Sequence, residues 1–352
     1  MPVKRLAIQS YRAILIALYC LDPFGIMARL FIAGSGILSL SHRSRIVITG
    51  AAGLVGQNLL LLLRERGYCN LLAIDRHAGN LLIAAELNPG LETLCADLAC
   101  AGDWQAVFAG ADAVIQLHAQ ITGLREADFE RNNIEATRHV LVACHSHHVP
   151  YLLHVSSSVL HSVVEDAYTR TKFAQEQLVR QSGLAWCILR PTLMFGWFDP
   201  KHFGWLSRFM ARVPVFPIPG DGRYLRQPLY NRDFCRVIIA CIEAHRVGQA
   251  YDIVGAEDID YVDIIKTIRD AKDLRTVILH IPFRFFDVLL RTYALFSKKP
   301  PFTSSQLQAL AAGDYFKGVD IEQEFGVHPT PFTDAMQETF THPRYAQIVV
   351  GR

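Results

Sequence analysis

Arg45-Ile-Val-Ile-Thr49, then Gly50-Ala-Ala-Gly53-Leu-Val-Gly56, then Gln57-Asn-Leu-Leu-Leu-Leu-Leu-Arg-Glu-Arg66 form the stretch that decides the fold. The first piece is a short apolar run and reads as a buried strand. The last reads as a helix that Gly67 stops. Between them the glycines let the backbone turn tightly and approach a ligand closely. A helix that starts after such a turn offers free N–H groups to an anion. The segment therefore predicts a pyrophosphate cradle along Gly50, Ala52, Gly53, Leu54, Val55 and Gly56. The spacing is GxxGxxG, not GxGxxG, and the glycines alone would say little. Their place between a strand and a helix gives them weight.

Working outward, Leu71-Leu-Ala-Ile-Asp75 is a second apolar strand and ends in a carboxylate. Asp75 lies 19 residues after Gly56, where an acid binds the hydroxyls of an adenosine ribose. It would repel a 2′-phosphate, which favours NAD. Arg76 follows at once and could attract that phosphate, so NADP stays open. Asp97 and Leu98 end a third apolar segment and could meet the adenine edge. Further strands are predicted at 112–117, 151–155 and 185–190, with a helix at 129–144. Strands alternating with helices imply an α/β fold, a Rossmann-type doubly wound parallel sheet with right-handed crossovers. Such sheets bind ligands outside the carboxyl ends of their strands. Gly50, Asp75, His118 and Ser158 all fall at those ends.

Tyr168-Thr-Arg-Thr-Lys172 follows Ser156-Ser157-Ser158. A bare Tyr-x-x-x-Lys is most often a solvated helix face. Beside a serine run and a dinucleotide cradle it reads as a proton-transfer site. Oxidising an alcohol needs a base for the hydroxyl proton, and a free phenol titrates near 10, too high for that task. A lysine one helical turn later lies on the same face, and its charge favours the phenolate. A serine hydroxyl would orient the substrate oxygen and stabilise developing charge.

Composition sets outer bounds. The chain has 352 residues, 51% hydrophobic, with a net charge of +2 of interspersed sign. That allows one large domain with a smaller lobe and leaves no nucleic-acid footprint. The eight cysteines form no CxxC pair. Several, including Cys95, Cys144 and Cys187, read as reduced core residues of a cytoplasmic protein. His145-Ser-His-His148 sits at a helix end without acidic or cysteine companions, so no metal site is expected. Residues 1–43 form an extension outside the nucleotide domain. Its two apolar runs are too short to span a bilayer, and it reads as a packing arm or an interfacial membrane anchor. Residues 44–195 are expected to form the NAD(P)-binding domain. Residues 196–352 form mainly a substrate lobe, interleaved with the last elements of the sheet. Within it, the apolar run 283–296 is a lobe helix or a membrane-facing surface.

Taken in order, Thr49 to Gly56, Asp75, Asp97-Leu98, Leu117-His-Ala-Gln120, Asn133, Ser156 to Ser158, Tyr168-x-x-x-Lys172, Arg190-Pro-Thr-Leu-Met-Phe-Gly196 and Gly220 to Tyr230 resemble the extended short-chain dehydrogenase/reductase superfamily, in its nucleotide-sugar epimerase/dehydratase branch. The resemblance covers roughly 44–335. It implies that Ser158 is the catalytic hydroxyl, with Ser157 as its fallback, and that Tyr168 and Lys172 complete the set. It implies that His118, Ala119, Asn133 and Pro191 lie along the cofactor, although His118 reads as packed and not catalytic. It implies that Arg226, with Gln227, grips the diphosphate of a nucleotide-sugar, and that two chains pair as a homodimer. Two departures stand out. Only nine residues separate Ser158 from Tyr168, where the family has about two dozen. Ser158 is followed by Val159-Leu160, where 4,6-dehydratases carry an acidic pair. The expected activity is therefore a nucleotide-sugar epimerase. A keto-sugar reductase, a non-catalytic cofactor-binding protein and a steroid- or flavonoid-type ketoreductase are the alternatives, the last disfavoured by the Arg226 loop.

Overall fold

The computed structural model describes residues 40–162, 166–296 and 315–351. The extension up to residue 39 lies outside the described residues. Seven strands form one sheet: β1 (Ile46–Thr49), β2 (Leu71–Asp75), β3 (Glu92–Cys95), β4 (Ala113–Gln116), β5 (Tyr151–Val155), β6 (Ala185–Pro191) and, from late in the chain, a strand at Gln249–Ile253. Their order places that late strand beside β6, followed by β5, β4, β1, β2 and β3. Every neighbouring pair is parallel. The chain leaves β1 toward β2 and β3, then returns to the other side of β1 as β4. The order reverses between β1 and β4, and a crevice opens there at the carboxyl ends.

The helices that cover the sheet are α1 (Leu54–Glu65), α2 (Ala78–Leu87), α3 and α4 (Ala167–Arg180), with a later helix at Asn231–Glu243. α3 runs continuously through Glu126–Phe129, a π-helical stretch Glu130–Glu135, and Ala136–Ser146. Alternation along the strands builds two cores. Ile46 and Ile48 of β1 join Leu59, Leu60 and Leu63 of α1 and Phe234 and Ile238 on one face. Val47 joins Val114, Leu152, Val140, Ala143 and Val179 on the other. Central strands covered on both faces must be apolar throughout, which is why β1, β2 and β4 are apolar up to their last residue. β3 is the sheet edge and is largely exposed, so Cys95 is exposed, contrary to its expected place in the core. Cys144, Cys187, Cys235 and Cys241 are buried.

After β6 come β7 (Met194–Phe195), α5 (Phe203–Met210), β8 (Val215–Pro219), β9 (Leu225–Arg226) and β10 (Leu229–Tyr230). Next are α6 (Asn231–Glu243), β11 (Gln249–Ile253), β12 (Ile259–Asp260), α7 (Tyr261–Ala271), β13 (Val277–Ile281), α8 (Phe283–Phe296), α9 (Ile321–Phe325) and α10 (Phe332–Thr341). α6 and β11 belong to the sheet layers. α9 packs on the same core as α6 through Ile321 and Phe325. A separate core gathers Phe195, Phe203, Met210, Ile218, Ile264, Ile265, Phe332 and Met336. On α8, Phe285 and Val288 are exposed. Among the described residues, no helix is long and apolar enough to cross a membrane.

Candidate active site

The glycine turn sits at the β1/β4 crevice. Gly50 takes φ +69°, and a Cβ placed on it would lie 2.5 Å from the backbone nitrogen of His118. The two strand exits are thus in backbone contact, which a side chain at this position would forbid. A Cβ on Gly56 would meet the carbonyl of Ala51 at 2.3 Å, so α1 packs directly onto the turn. Gly53 caps α1 without a side-chain hydrogen bond, and the first turn holds no acid. Leu54 and Val55 follow it, half-buried. This is a helix N-terminus left free for an anion, so the turn fits a dinucleotide.

Asp75 is 9% exposed. One carboxylate oxygen accepts from the N–H of Ala52 at 3.1 Å and the other from His77 at 3.0 Å. The carboxylate is thereby fixed against the glycine turn. Arg76 is exposed and points to Gln120 at 3.3 Å. Asp97 accepts from Arg131 at 2.5 Å and from the N–H of Ala99 at 3.1 Å. Leu98 is buried beside it. Ala119 is exposed at the rim, and Pro191 is buried at the end of β6. Asn133 faces the site through the π-helical stretch of α3. Its amide nitrogen donates to the Gln120 carbonyl at 3.2 Å and to Thr171 at 3.0 Å, and its oxygen accepts from the Gln120 N–H at 2.6 Å. It joins the loop after β4 to α4.

At the end of β5, burial pushes the Tyr168 phenol up, the Ser157 hydroxyl pulls it down, and the Asp166 carboxylate adds to the rise; the net direction is upward. Ser158 is buried and opens a 3₁₀ turn, Ser158–His161. Lys172, expected to favour the phenolate beside an oxidised nicotinamide, is not among the groups that shift the phenol here. Lys172 is 1% exposed and donates to the carbonyl of Val155 at 2.9 Å and to Gln175 Oε1 at 2.6 Å. Burial draws its ammonium down to about 7, against the pull of Glu176.

Sequence reasoning missed two groups. The first is a polar row on the face toward α3 and α4. Thr49, Gln116 and His154 are in register across β1, β4 and β5, and all three are fully buried. Thr137 and Gln175 close over them from the helices. The available signal was a polar residue near the end of three otherwise apolar strands. The second group is ionic. Glu176, 2% exposed, receives Arg190 through two nitrogens at 2.6 and 3.0 Å and Arg180 at 2.8 Å. Burial pushes its carboxyl up, but hydrogen bonds from Arg190 and Arg180 prevail and hold it at about 2. Arg190 also reaches Asp252 at 3.4 Å, and Asp252 meets His161 at 2.9 Å. The network ties α4 to β6, β11 and the serine loop.

The expected substrate residues follow on and after β9. Arg226 is on β9, in register with Ile259 of β12 and beside Tyr261. Gln227 is buried, and its amide is committed to Phe316. The nitrogen donates to that carbonyl at 3.1 Å, and the oxygen accepts its N–H at 2.9 Å. Gln227 thus braces the segment after residue 315, and its amide is not turned to a ligand.

Residues 46–255 match the NAD dependent epimerase/dehydratase family. The chain is 22% identical over 264 residues to a dTDP-glucose 4,6-dehydratase of Actinoplanes sp. (strain ATCC 31044 / CBS 674.73 / SE50/110), covering 64% of this chain and 81% of that one. It is 26% identical over 290 residues to the uncharacterized UDP-glucose epimerase YtcB of Bacillus subtilis (strain 168), covering 72% and 90%. Its fold resembles the crystal structure of UDP-glucuronic acid 4-epimerase from Bacillus cereus in complex with NAD. The TM-score is 0.65 at 21% identity, over 83% of this chain and 96% of that one.

Proposed function

The chain belongs to the NAD dependent epimerase/dehydratase family, and from that premise we propose that it is an NAD-dependent epimerase of a nucleotide-activated sugar, working through a keto intermediate with Tyr168 as acid and base. The observation that carries this reading is the buried Lys172, anchored by the carbonyl of Val155 at the strand end from which the serines emerge and one helical turn from Tyr168. A cofactor-binding protein without chemistry has no use for a buried phenol and lysine so placed, because burying both disfavours their charged forms.

Bound NAD supplies the acceptor and donor of hydride. Gly50, Ala52, Gly53, Leu54, Val55 and Gly56 would hold its pyrophosphate. Asp75 would hold the adenosine ribose, and its fixed carboxylate favours NAD over NADP. Asp97 and Leu98 would border the adenine, with His118, Ala119, Asn133 and Pro191 toward the nicotinamide. Lys172 would bind the nicotinamide ribose. Tyr168 takes the proton of the substrate hydroxyl and returns it after the ketone has turned. Ser157 or Ser158 orients the substrate oxygen, and Arg226 meets the diphosphate. Dehydration ranks lower, because Val159 and Leu160 supply no acid or base after the serines.

One observation favours a second reading. A phenol pushed up by burial is poised to donate a proton, as the reduction of a keto-sugar requires. The cofactor content of the purified protein and turnover of UDP-, GDP- and dTDP-sugars separate the two. Retained NAD with sugar isomerisation and no net NADH change supports the epimerase, and Tyr168→Phe abolishes it. NADH consumption only with a keto-sugar supports the reductase.

A further inference from the structure

Five polar side chains meet between the sheet and the α3/α4 layer, where apolar residues would pack without any need for partners. Thr49, Gln116, Thr137 and Gln175 are fully buried, and Lys172 is 1% exposed. Their hydrogen bonds have a direction that donor accounting fixes. Lys172 donates to the amide oxygen of Gln175 at 2.6 Å, and it carries N–H donors whether charged or neutral. The Gln175 nitrogen then donates to Thr137 Oγ1 at 2.8 Å. The Gln116 nitrogen donates to the same oxygen at 2.7 Å. Both lone pairs of that hydroxyl are occupied, so its own proton must leave outward. His118 Nε2 lies 3.4 Å away. A ring nitrogen that accepts leaves the proton on Nδ1, which lies 2.9 Å from Thr49 Oγ1. His118 stays neutral in this setting, because burial and the nearby Lys172 draw its imidazolium down to about 3.

We propose that Gln175, Thr137 and His118 form a one-way hydrogen-bond chain tying Lys172 to Thr49 at the base of the glycine turn, and so act as positioning residues for the cofactor end of the site. Each donor along the chain points away from Lys172. Such a chain polarises cooperatively, and its members hold one another in single rotamers. Thr49 immediately precedes Gly50, whose backbone touches His118. The lysine and the anion cradle are thereby set relative to each other through a continuous row of side chains. The inference rests on the reading above in one respect, that Lys172 faces the cofactor.

The test uses the full chain with ¹⁵N-labelled histidine, and His118→Gln identifies the signal. The expected result is a neutral His118 protonated at Nδ1 between about pH 6 and pH 8. A ring protonated at Nε2, or an imidazolium in that range, overturns the chain. In the second arm, Thr137→Val keeps the shape and removes the hydroxyl. NADH affinity, read by fluorescence titration, should fall about 5- to 10-fold. The fixed tautomer should be lost, the thermal midpoint should fall because the Gln116 and Gln175 amides lose their acceptor, and Thr137→Ser should restore all three readouts. Unchanged affinity and tautomer in Thr137→Val overturn the proposal. If the wild type binds no NADH, the cofactor reading fails, and the tautomer alone decides the chain.

Discussion

The Lys172 ammonium donates to the carbonyl of Val155 at 2.9 Å, so the lysine is held by the last residue of the strand from which the serines emerge. Two residues later comes Ser157, whose hydroxyl pulls the Tyr168 phenol down. One strand end thus anchors the lysine and carries the serines, and α4 brings the phenol and the lysine to it from consecutive turns.

The burial of Lys172 makes stability depend on pH. In the unfolded chain the lysine titrates near 10.5, and in the folded chain at about 7. Between those values the unfolded chain holds a proton that the folded chain has released, so stability rises with pH across this window. Below about 7 both states are charged and the burial penalty is felt in full. Relative to Lys172→Met, the wild type should gain about 2 kcal/mol from roughly pH 7.5 to 9.5, at about 1.4 kcal/mol per unit. Urea unfolding of both proteins at the two pH values measures it. A constant difference between them would show that Lys172 keeps its ordinary titration.

The two serines should separate in turnover. The Ser157 hydroxyl pulls the Tyr168 phenol down, whereas Ser158 opens the 3₁₀ segment. Ser157→Ala should lower turnover by about 10²-fold, as loss of one oriented donor does, and Ser158→Ala by less than about 10-fold. Steady-state rates on whichever sugar the wild type turns over give the comparison. The reverse ranking would return the catalytic place to Ser158.

The sheet was legible because its central strands carry an unambiguous pattern. Ile46–Thr49 and Ala113–Gln116 are short apolar runs with turn signals at both ends, and the glycine turn assigns the crossover. What escaped reading depends on contacts far apart in sequence. Glu176 meets Arg190, 14 residues on, and Arg190 meets Asp252 another 62 residues on. Nothing local to either arginine or acid announces the pairing. The choice between Ser157 and Ser158 rests on strand pleat and the start of a 3₁₀ turn, a one-residue matter that moves a side chain to the other face. Gln227 was read toward a ligand because the backbone path of residues 315–319, which claims its amide, has no sequence signature.

The Glu176 cluster should dominate acid stability. Its carboxyl falls from 4.5 in the reference state to about 2 in the fold. The stability it contributes is fully present above about 4.5 and is lost as pH falls toward 2. Glu176→Ala leaves Arg190 buried beside a vacated partner and should cost about 3 to 5 kcal/mol near neutrality. The penalty should shrink at about pH 3, where the wild type has lost part of the same contribution. Denaturant melts at both pH values test this. An equal penalty at the two would mean that the carboxylate charge is not what stabilises.

Two glycines of the turn should fail in different ways. Gly50 takes φ +69°, and its Cβ would lie 2.5 Å from the His118 nitrogen, a backbone atom that no side-chain rotation can clear. Gly50→Ala should therefore destabilise the fold by about 3 kcal/mol or more, from strain and displaced backbone together. Gly53 has φ −83° and ψ −177°, which any residue adopts, and its Cβ would meet only the Gly50 carbonyl at 3.4 Å. Gly53→Ala should fold with stability within about 0.5 kcal/mol of wild type. Its methyl would stand at the open N-terminus of α1, where an anion must approach, so NADH affinity should fall by more than about 10-fold. Thermal melts and NADH fluorescence titrations on the two variants read stability and binding separately. A Gly53→Ala protein that folds and binds NADH as wild type does would move the pyrophosphate away from this helix end, whatever Gly50→Ala does to the fold.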